Sequence, residues 1–159
     1  MMLERLQQIK QRQRDKSEQA LLQAGARLRA LETELKGHIE TLEEYIVWRK
    51  DQEKALYQQA HDAFLTRSGV DKFRLKIANL RSHDATLKKN IATCEQQIEA
   101  AKNTVQVCQA GLQTANKAME KFASLIALEN TKRALLANRN EENQLDEFVT
   151  SRFSGMKSI

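Results

Sequence analysis

The sequence contains no proline and few of the residues that interrupt a helix. Average proline usage would predict roughly eight prolines in a chain of this length. Glycine occurs five times, and aromatic residues make up 5% of the chain. The remaining composition is rich in Leu, Gln, Lys, Glu and Ala, which lose little rotamer freedom in a helix. The composition therefore predicts an all-α protein.

Cysteines and long apolar runs are also scarce. The two cysteines, Cys94 and Cys108, would lie about 21 Å apart along one predicted helix, so they cannot form a disulfide with each other. We interpret them as small core residues of a reduced, cytosolic protein. The sequence has no run of eighteen apolar residues, and residues 1–16 contain no hydrophobic signal core. We therefore predict neither a cleaved secretion signal nor direct membrane insertion.

The clearest pattern that is present is an alternation of spacings of four and three in the second half of the chain. Such an alternation keeps one narrow stripe facing a partner helix and is typical of a coiled coil. Only Asp84 interrupts its apolar character. The members of this seam are Leu80, Asp84, Leu87, Ile91, Cys94, Ile98, Ala101, Val105, Cys108, Leu112, Ala115, Met119, Phe122 and Ile126.

A second seam of the same kind lies in the first half, with His38 as its one polar member. We predict that the two seams pack together in a long two-helix antiparallel coiled-coil hairpin that forms a single domain, residues 1–159. The first long helix would be residues 1–66 and the return helix residues 85–147, followed by a frayed tail, residues 148–159. The members of the second seam are Leu21, Ala24, Leu28, Leu31, Leu35, His38, Leu42 and Tyr45.

Between the two helices we predict a tip, residues 67–84, that contains a short helix of its own. Ser68 and Asp71 have the spacing of a capping box, and residues 82–84 read as a second cap or a kink. The stripe Phe73, Ile77 and Leu80 would either pack on residues 64–65 or form a docking surface with a basic rim. Residues 67–89 carry seven basic and two acidic side chains.

The sequence contains no pattern typical of catalysis. It has no Gly-rich phosphate loop, no nucleophile elbow and no His or Cys pair at metal-ligand spacing, and a two-helix coiled coil offers no concave pocket for a substrate. We predict no catalytic residue, no cofactor, no metal site and no enzymatic activity. The basic residues are not interleaved with aromatic ones, so we predict no nucleic-acid binding.

Three of the few aromatic residues lie in the stretch "YIVWRKDQEKALY", residues 45–57. After Tyr45 the alternation would continue to Arg49 and Gln52, which leaves Trp48 off the seam. One interpretation is a stammer with spacing 45, 48, 52, which would rotate Trp48 into the core. The other leaves Trp48 and Tyr57 at the surface as anchors for a partner. The sequence favours neither.

The stretches "YIVWRKDQEKALYQQ", "LERLQQIKQRQRDKSEQAL" and "VDKFRLKIANLR" resemble the YscO family of type III secretion proteins, also called SctO. These are the injectisome counterparts of the flagellar export protein FliJ. The resemblance runs over residues 3–148 in helix pattern and length, and its most specific part is Tyr45, Trp48 and Arg49.

The resemblance implies a cytoplasmic stalk, similar to the shaft of rotary ATP synthases, at the cytoplasmic face of the secretion apparatus. It implies contacts with the hexameric secretion ATPase, with the cytoplasmic domain of the major export-gate protein and with secretion chaperones. By position, Phe73, Ile77 and Leu80 become the export-gate contact. The ATPase-contact candidates are Arg5, Lys10, Arg12 and Arg14.

An alternative function is a coiled-coil adaptor or escort of secretion chaperones. Such a protein would bind its partners laterally, and the candidate contacts are Tyr45, Trp48, Arg49 and Tyr57. We expect a monomer in either case. Homodimerisation into a longer bundle is a third alternative.

Overall fold

The computed structural model describes residues 2–62 and 66–157, which form two helices. Helix α1, Met2–Asp62, has 61 residues, and helix α2, Arg67–Lys157, has 91. No strand occurs within these ranges, and neither helix has a stretch long and apolar enough to cross a membrane. The predicted all-α class is confirmed. Residues 148–157, predicted to fray, are helical in the structure, and their fraying stays a prediction.

Thr66 caps the start of α2. Its Oγ1 accepts a hydrogen bond from the backbone N–H of Gly69 at 3.2 Å, and its carbonyl accepts one from the N–H of Val70 at 2.9 Å. This is the geometry of an N-cap residue. The capping box predicted at Ser68 and Asp71 is wrong, because both residues already lie inside the first turns of α2.

Helix α2 continues without a break through residues 82–84. The separate short helix predicted for the tip, residues 67–84, is therefore not confirmed, and these residues form the beginning of α2. Asp84 shows the physical reason: it faces α1 and is only 9% exposed. Because Asp84 lies inside the continuous helix α2 and packs against α1, its carboxylate does not cap the start of a helix.

The described residues belong to two compact units. Unit 2 is Gln19–Gln109, and unit 1 combines Met1–Glu18 with Ala110–Ile159. Each unit contains a segment of α1 and a segment of α2. The predicted pairing of two long helices is confirmed, and within each unit the two segments run antiparallel.

Unit 2 contains the best-packed part of the molecule. Leu31 and Cys94 are each 2% exposed, and the Cys94 thiol lies 3.5 Å from the Leu31 carbonyl, to which it donates. Burial, assisted by Glu34, raises the pKa of this thiol. We call this group of side chains the apolar cluster; it consists of Leu28, Leu31, Leu35, Cys94, Ile98 and Ala101.

The two seams predicted from the sequence are the packed faces of the helices. Every predicted position from Leu80 to Ile126 is buried or half-buried, and so is every position from Leu21 to Tyr45. His38, the polar member, is half-buried, and its Nε2 lies 3.4 Å from an oxygen of Glu34. The alternation of four and three is therefore confirmed as a pattern of burial.

Unit 1 packs a much more polar stretch of α1. Arg14 donates from Nε to Oδ1 of Asn116 at 3.0 Å, and Leu3 lines a cleft together with Ile126. Half-buried positions keep the alternation of four and three down to the start of α1, although the residues are mostly polar. These positions are Leu3, Gln7, Lys10, Arg14 and Ser17.

Candidate partner-binding surfaces and a buried polar layer

A layer of polar side chains interrupts the apolar packing of unit 2. It includes the phenol of Tyr45, which donates a hydrogen bond to the backbone carbonyl of Leu80 at 2.6 Å. The Tyr45 ring also meets His83 edge-on, with ring centroids 4.6 Å apart. We call this group the polar layer; it consists of Tyr45, Arg49 and Glu53 from α1 and Arg81 and Asp84 from α2.

The charges of the polar layer are partly matched to one another. One oxygen of Glu53 accepts hydrogen bonds from Nη1 of Arg49 at 3.0 Å and from Nε of Arg81 at 3.4 Å. The side chains of Arg49 and Glu53 are only 15% and 14% exposed. Asp84 Oδ2 lies 3.3 Å from Nζ of Lys88. The buried Asp84 and the half-buried Glu53 therefore each have at least one cation beside them.

The polar layer is not fully satisfied. Within the described residues, Nε of Arg49 and Oδ1 of Asp84 are buried without a hydrogen-bond partner, an arrangement that costs free energy. Burial and the nearby Asp84 carboxylate raise the pKa of the Tyr45 phenol, although Arg49 acts in the opposite direction. The phenol is thus held in its neutral, hydrogen-donating form.

This layer does not resemble a metal centre. Over residues 2–62 and 66–157, no group of three or more His, Cys, Asp or Glu side chains is placed to hold a metal ion. The arrangement can orient helices and bind polar partners, because its ionic groups face each other across α1 and α2.

The stammer proposed for Trp48 is wrong. The half-buried positions that continue the seam are Tyr45, Arg49, Glu53 and Leu56, at spacings of four, four and three. Trp48 is 50% exposed. An extra step of four is a stutter, which unwinds a coiled coil locally instead of overwinding it. Arg49 and Glu53 can occupy these half-buried positions because their charged groups form an ion pair with each other.

Trp48 and Tyr57 are the two exposed aromatic side chains of α1, at 50% and 52%. The Trp48 ring packs beside the Tyr45 ring, with ring centroids 5.7 Å apart. The Tyr57 ring meets the Phe73 ring edge-on, with ring centroids 5.1 Å apart. Of the four predicted lateral contacts, Tyr45 and Arg49 already make hydrogen bonds within unit 2, to Leu80 and to Glu53. Trp48 and Tyr57 present apolar surface that a partner could cover.

The predicted export-gate stripe lies at the edge of the helix pair. Phe73, Ile77 and Leu80 are all half-buried on the α2 face that meets α1, so part of their surface serves internal packing. Residues 64–65, the other predicted packing partners, lie outside the described residues. The outer edge of the stripe still borders an open groove, which is lined by Tyr57, Phe73, Arg74, Ile77, Ala78 and Arg81.

The predicted ATPase contacts in unit 1 fall into two groups. Arg5 and Arg12 are exposed, whereas Lys10 and Arg14 are half-buried at seam positions, where Arg14 binds Asn116. The structure therefore does not bring the four basic residues together on one surface. Arg5 and Arg12 are the better placed to meet a partner.

A feature that the sequence reasoning missed is an apolar surface near the end of α2. Every residue from 130 to 155 is exposed, and the guanidinium of Arg152 lies 5.8 Å from the Phe148 ring centroid. The apolar residues are visible in the sequence, but their exposure is not, because it depends on how far α1 covers α2. The large exposed side chains in this range are Leu135, Leu136, Leu145, Phe148, Val149 and Phe153.

Comparisons with known proteins agree on one family. A family model described as "Type III secretion protein YscO" matches residues 3–151. The Yop proteins translocation protein O of Yersinia pseudotuberculosis is 26% identical over 129 residues, which cover 81% of this chain and 84% of that protein. A crystal structure of the type III secretion protein YscO from Vibrio parahaemolyticus matches with a TM-score of 0.90 and 26% identity, covering 92% of each chain.

Proposed function

The chain belongs to the YscO family of type III secretion proteins, and on that premise we propose that it is a non-enzymatic stalk component that couples the hexameric secretion ATPase to the export gate. It would act in the cytoplasm, at the cytoplasmic face of the secretion apparatus. The observation that carries this proposal is the family match over residues 3–151, which takes in nearly all of both helices.

The features of unit 2 support a contact with the cytoplasmic domain of the export-gate protein. The groove beside Phe73 and Ile77 combines apolar side chains with Arg74 and Arg81. Apolar anchors with a charged rim are common in protein interfaces. The proposed contact is therefore the outer edge of the stripe, Phe73, Ile77 and Leu80, and not its whole surface.

The features of unit 1 support a contact with the ATPase. Arg5 and Arg12 are exposed basic residues at the start of α1, and α2 of the same unit exposes several large apolar side chains, among them Leu145 and Phe148. Exposed apolar surface of this kind often marks a binding site. Both kinds of group could contribute to one interface.

The ATPase contact can be tested by measuring ATP turnover of the secretion ATPase while this protein is added. We expect this protein to stimulate ATP turnover and to promote hexamer formation, which light scattering measures. Both effects should be lost in the double variant Arg5→Glu with Arg12→Glu. The matched control is Arg29→Glu with Lys36→Glu, which reverses two exposed charges of α1 in unit 2. If the unmodified protein changes neither the ATP turnover nor the hexamer population of the secretion ATPase, the stalk proposal is contradicted.

The gate contact can be tested by binding to the purified cytoplasmic domain of the export-gate protein. We expect Phe73→Ala with Leu80→Ala to weaken binding while helix content, measured by circular dichroism, stays the same. Leu75→Ala is the matched control, because Leu75 lies on the exposed face of the same part of α2. A loss of helix content in the double variant would show instead that the stripe is structural.

A second candidate function, a lateral adaptor for secretion chaperones, is favoured by the exposure of Trp48 and Tyr57. In that case Trp48→Ala would abolish chaperone binding, and reversing the charges of Arg5 and Arg12 would leave it intact. A pull-down with purified chaperones measures both effects. Chaperone binding that survives the loss of both exposed aromatic side chains would contradict this function.

A further inference from the structure

The last part of α2 carries a stripe of exposed residues at alternating spacings of four and three. Such spacings keep the side chains on one face of a helix, where they can meet a second helix. Leu128 is 59% exposed, Leu135 60% and Phe153 65%. We call this set the outer stripe; its members are Leu128, Lys132, Leu135, Arg139, Glu142, Asp146, Val149 and Phe153.

The exposure of the outer stripe indicates a partner helix. Most of the stability of a helix in a protein comes from packing one of its faces, yet every residue from 130 to 155 is exposed. Exposed apolar surface of this kind marks an interaction site. Large apolar residues lie toward both ends of the stripe, and charged residues occupy its centre. A partner must therefore match the apolar ends and the charges between them.

The order of the charges identifies this partner as a second copy of the same helix. Lys132 and Arg139 lie in the first half of the stripe, and the acids Glu142 and Asp146 lie in the second half. In a parallel pair in register, each charge would face its own copy, and like charges repel. In an antiparallel pair, the basic half of one copy lies against the acidic half of the other. The stripe is thus complementary to itself in the antiparallel direction alone.

We propose that two free chains form an antiparallel dimer through residues 128–153, in the register in which Leu128 of one copy faces Phe153 of the other. In this register each position of the stripe faces another position of the stripe. At the centre Arg139 faces Glu142 of the second copy. The two-fold symmetry of the dimer makes that contact twice.

The same register also pairs the two outer charges. Leu135 faces Asp146 of the second copy, and Lys132, in the adjacent layer, faces Val149. The long Lys132 side chain can cover Val149 with its apolar stem and bring its ammonium group to the neighbouring Asp146. All four charged residues of the stripe therefore meet an opposite charge.

The dimer can form without displacing α1. Helix α1 packs on the face of α2 that holds Phe122 and Ile126, both half-buried. Leu128 follows Ile126 by two residues, which is about 200° around a helix of 3.6 residues per turn. The outer stripe therefore lies largely on the other side of α2, and from Leu128 to Phe153 it is about 38 Å long.

The dimer is a state of the free chain and rests on neither the ATPase contact nor the gate contact. The sequence alone predicts a monomer, with homodimerisation as an alternative. The exposure of the outer stripe is the observation that argues for the dimer, and the order of its charges gives the dimer a face, a direction and a register.

Sedimentation velocity of the free, full-length protein tests the dimer. We expect the mass to rise toward that of two chains as the concentration approaches about 100 µM. Glu142→Arg sets arginines against each other at the centre, and Arg139→Glu sets acids against each other, so each variant should raise the dissociation constant at least about tenfold. An equimolar mixture of the two variants restores both opposite-charge contacts and should dimerise like the unmodified protein.

Glu141→Arg is the matched control, because it makes the same charge reversal at an exposed position beside the stripe, and it should leave dimerisation unchanged. Circular dichroism should show equal helix content in all variants. The proposal is wrong if the unmodified protein stays a monomer up to about 100 µM, if either single variant dimerises as well as the unmodified protein, or if their mixture does not dimerise. No ATPase is present, so such a result leaves the stalk proposal standing.

Discussion

Two neighbouring parts of unit 2 hold α1 and α2 together by different chemistry. In the apolar cluster, Leu31 and Cys94 are almost completely buried, and Leu, Ile and Ala side chains fill the interface. In the polar layer the same seam is occupied by Tyr45, Arg49 and Asp84. Both parts keep the helices in contact, although only one of them follows the usual rule for a core.

The difference shows that stability and positional specificity come from different residues. Burial of apolar surface stabilises by roughly 25 cal/mol per Å², without regard to direction. A buried polar group instead contributes a directed bond and destabilises any arrangement in which that bond is absent. We therefore expect the apolar cluster to set how stable unit 2 is, and the polar layer to set how α1 lies against α2.

The largest effect should follow from cutting into the apolar cluster. Leu31→Ala leaves a cavity at the most buried position and should lower the free energy of unfolding by about 2–4 kcal/mol. Urea unfolding followed by circular dichroism measures this loss. Leu22→Ala, at a position 65% exposed on the same helix, should change stability by no more than about 0.5 kcal/mol. Equal losses would show that the cluster is not a core.

A smaller loss is expected from the polar layer. Tyr45→Phe removes the hydroxyl that donates to Leu80 and should lower the free energy of unfolding by about 1 kcal/mol. Tyr57→Phe is the matched control, because that ring is half exposed. A loss as large as that of Leu31→Ala, in the same unfolding experiment, would break the contrast between the two regions.

The sequence was sufficient to predict the paired helices because helix packing repeats with a fixed period. Leu87, Ile98 and Ala101 could be placed in the core by spacing alone, and they are buried. The tip was different: residues 82–84 carry a plausible local capping signal, yet α2 passes through them unbroken. A local signal cannot reveal that Asp84 faces Tyr45 from a distant part of the chain.

The candidate binding surfaces were less predictable. By spacing, the alternation reaches Arg49 and leaves Trp48 off the seam, whereas a stammer would place Trp48 there, and the sequence did not decide between the two. In the structure Arg49 lies on the seam and forms an ion pair with Glu53. The exposure of the apolar side chains near Phe148 depends in the same way on how much of α2 is packed against α1. The predicted contacts with the ATPase, gate and chaperones concern surfaces that have meaning only with their partners, so they stay predictions.

A third change separates the two regions by their response to salt. Lys88→Met removes the cation beside the buried Asp84 and should lower the free energy of unfolding by about 0.5 kcal/mol at low salt, since Lys88 itself is largely exposed. The loss should shrink at high ionic strength. Lys102→Met, which breaks an exposed pair with Glu99, should have almost no effect. A larger loss at position 102 would contradict the special place of Asp84.

The smallest effect concerns alkaline pH. The folded protein raises the pKa of the Tyr45 phenol above its ordinary value of 10.0, so the folded state holds this proton more tightly than the unfolded state does. The resulting stability is fully present below pH 10.0 and is lost as the pH rises through the folded pKa. Urea midpoints of the unmodified protein should therefore fall more steeply above that pH than those of Tyr45→Phe. Tyr57→Phe should keep the steeper fall. Parallel curves for the unmodified protein and Tyr45→Phe would mean that the phenol is not buried in the polar layer, and the directed bond to Leu80 would lose its role in positioning the helices.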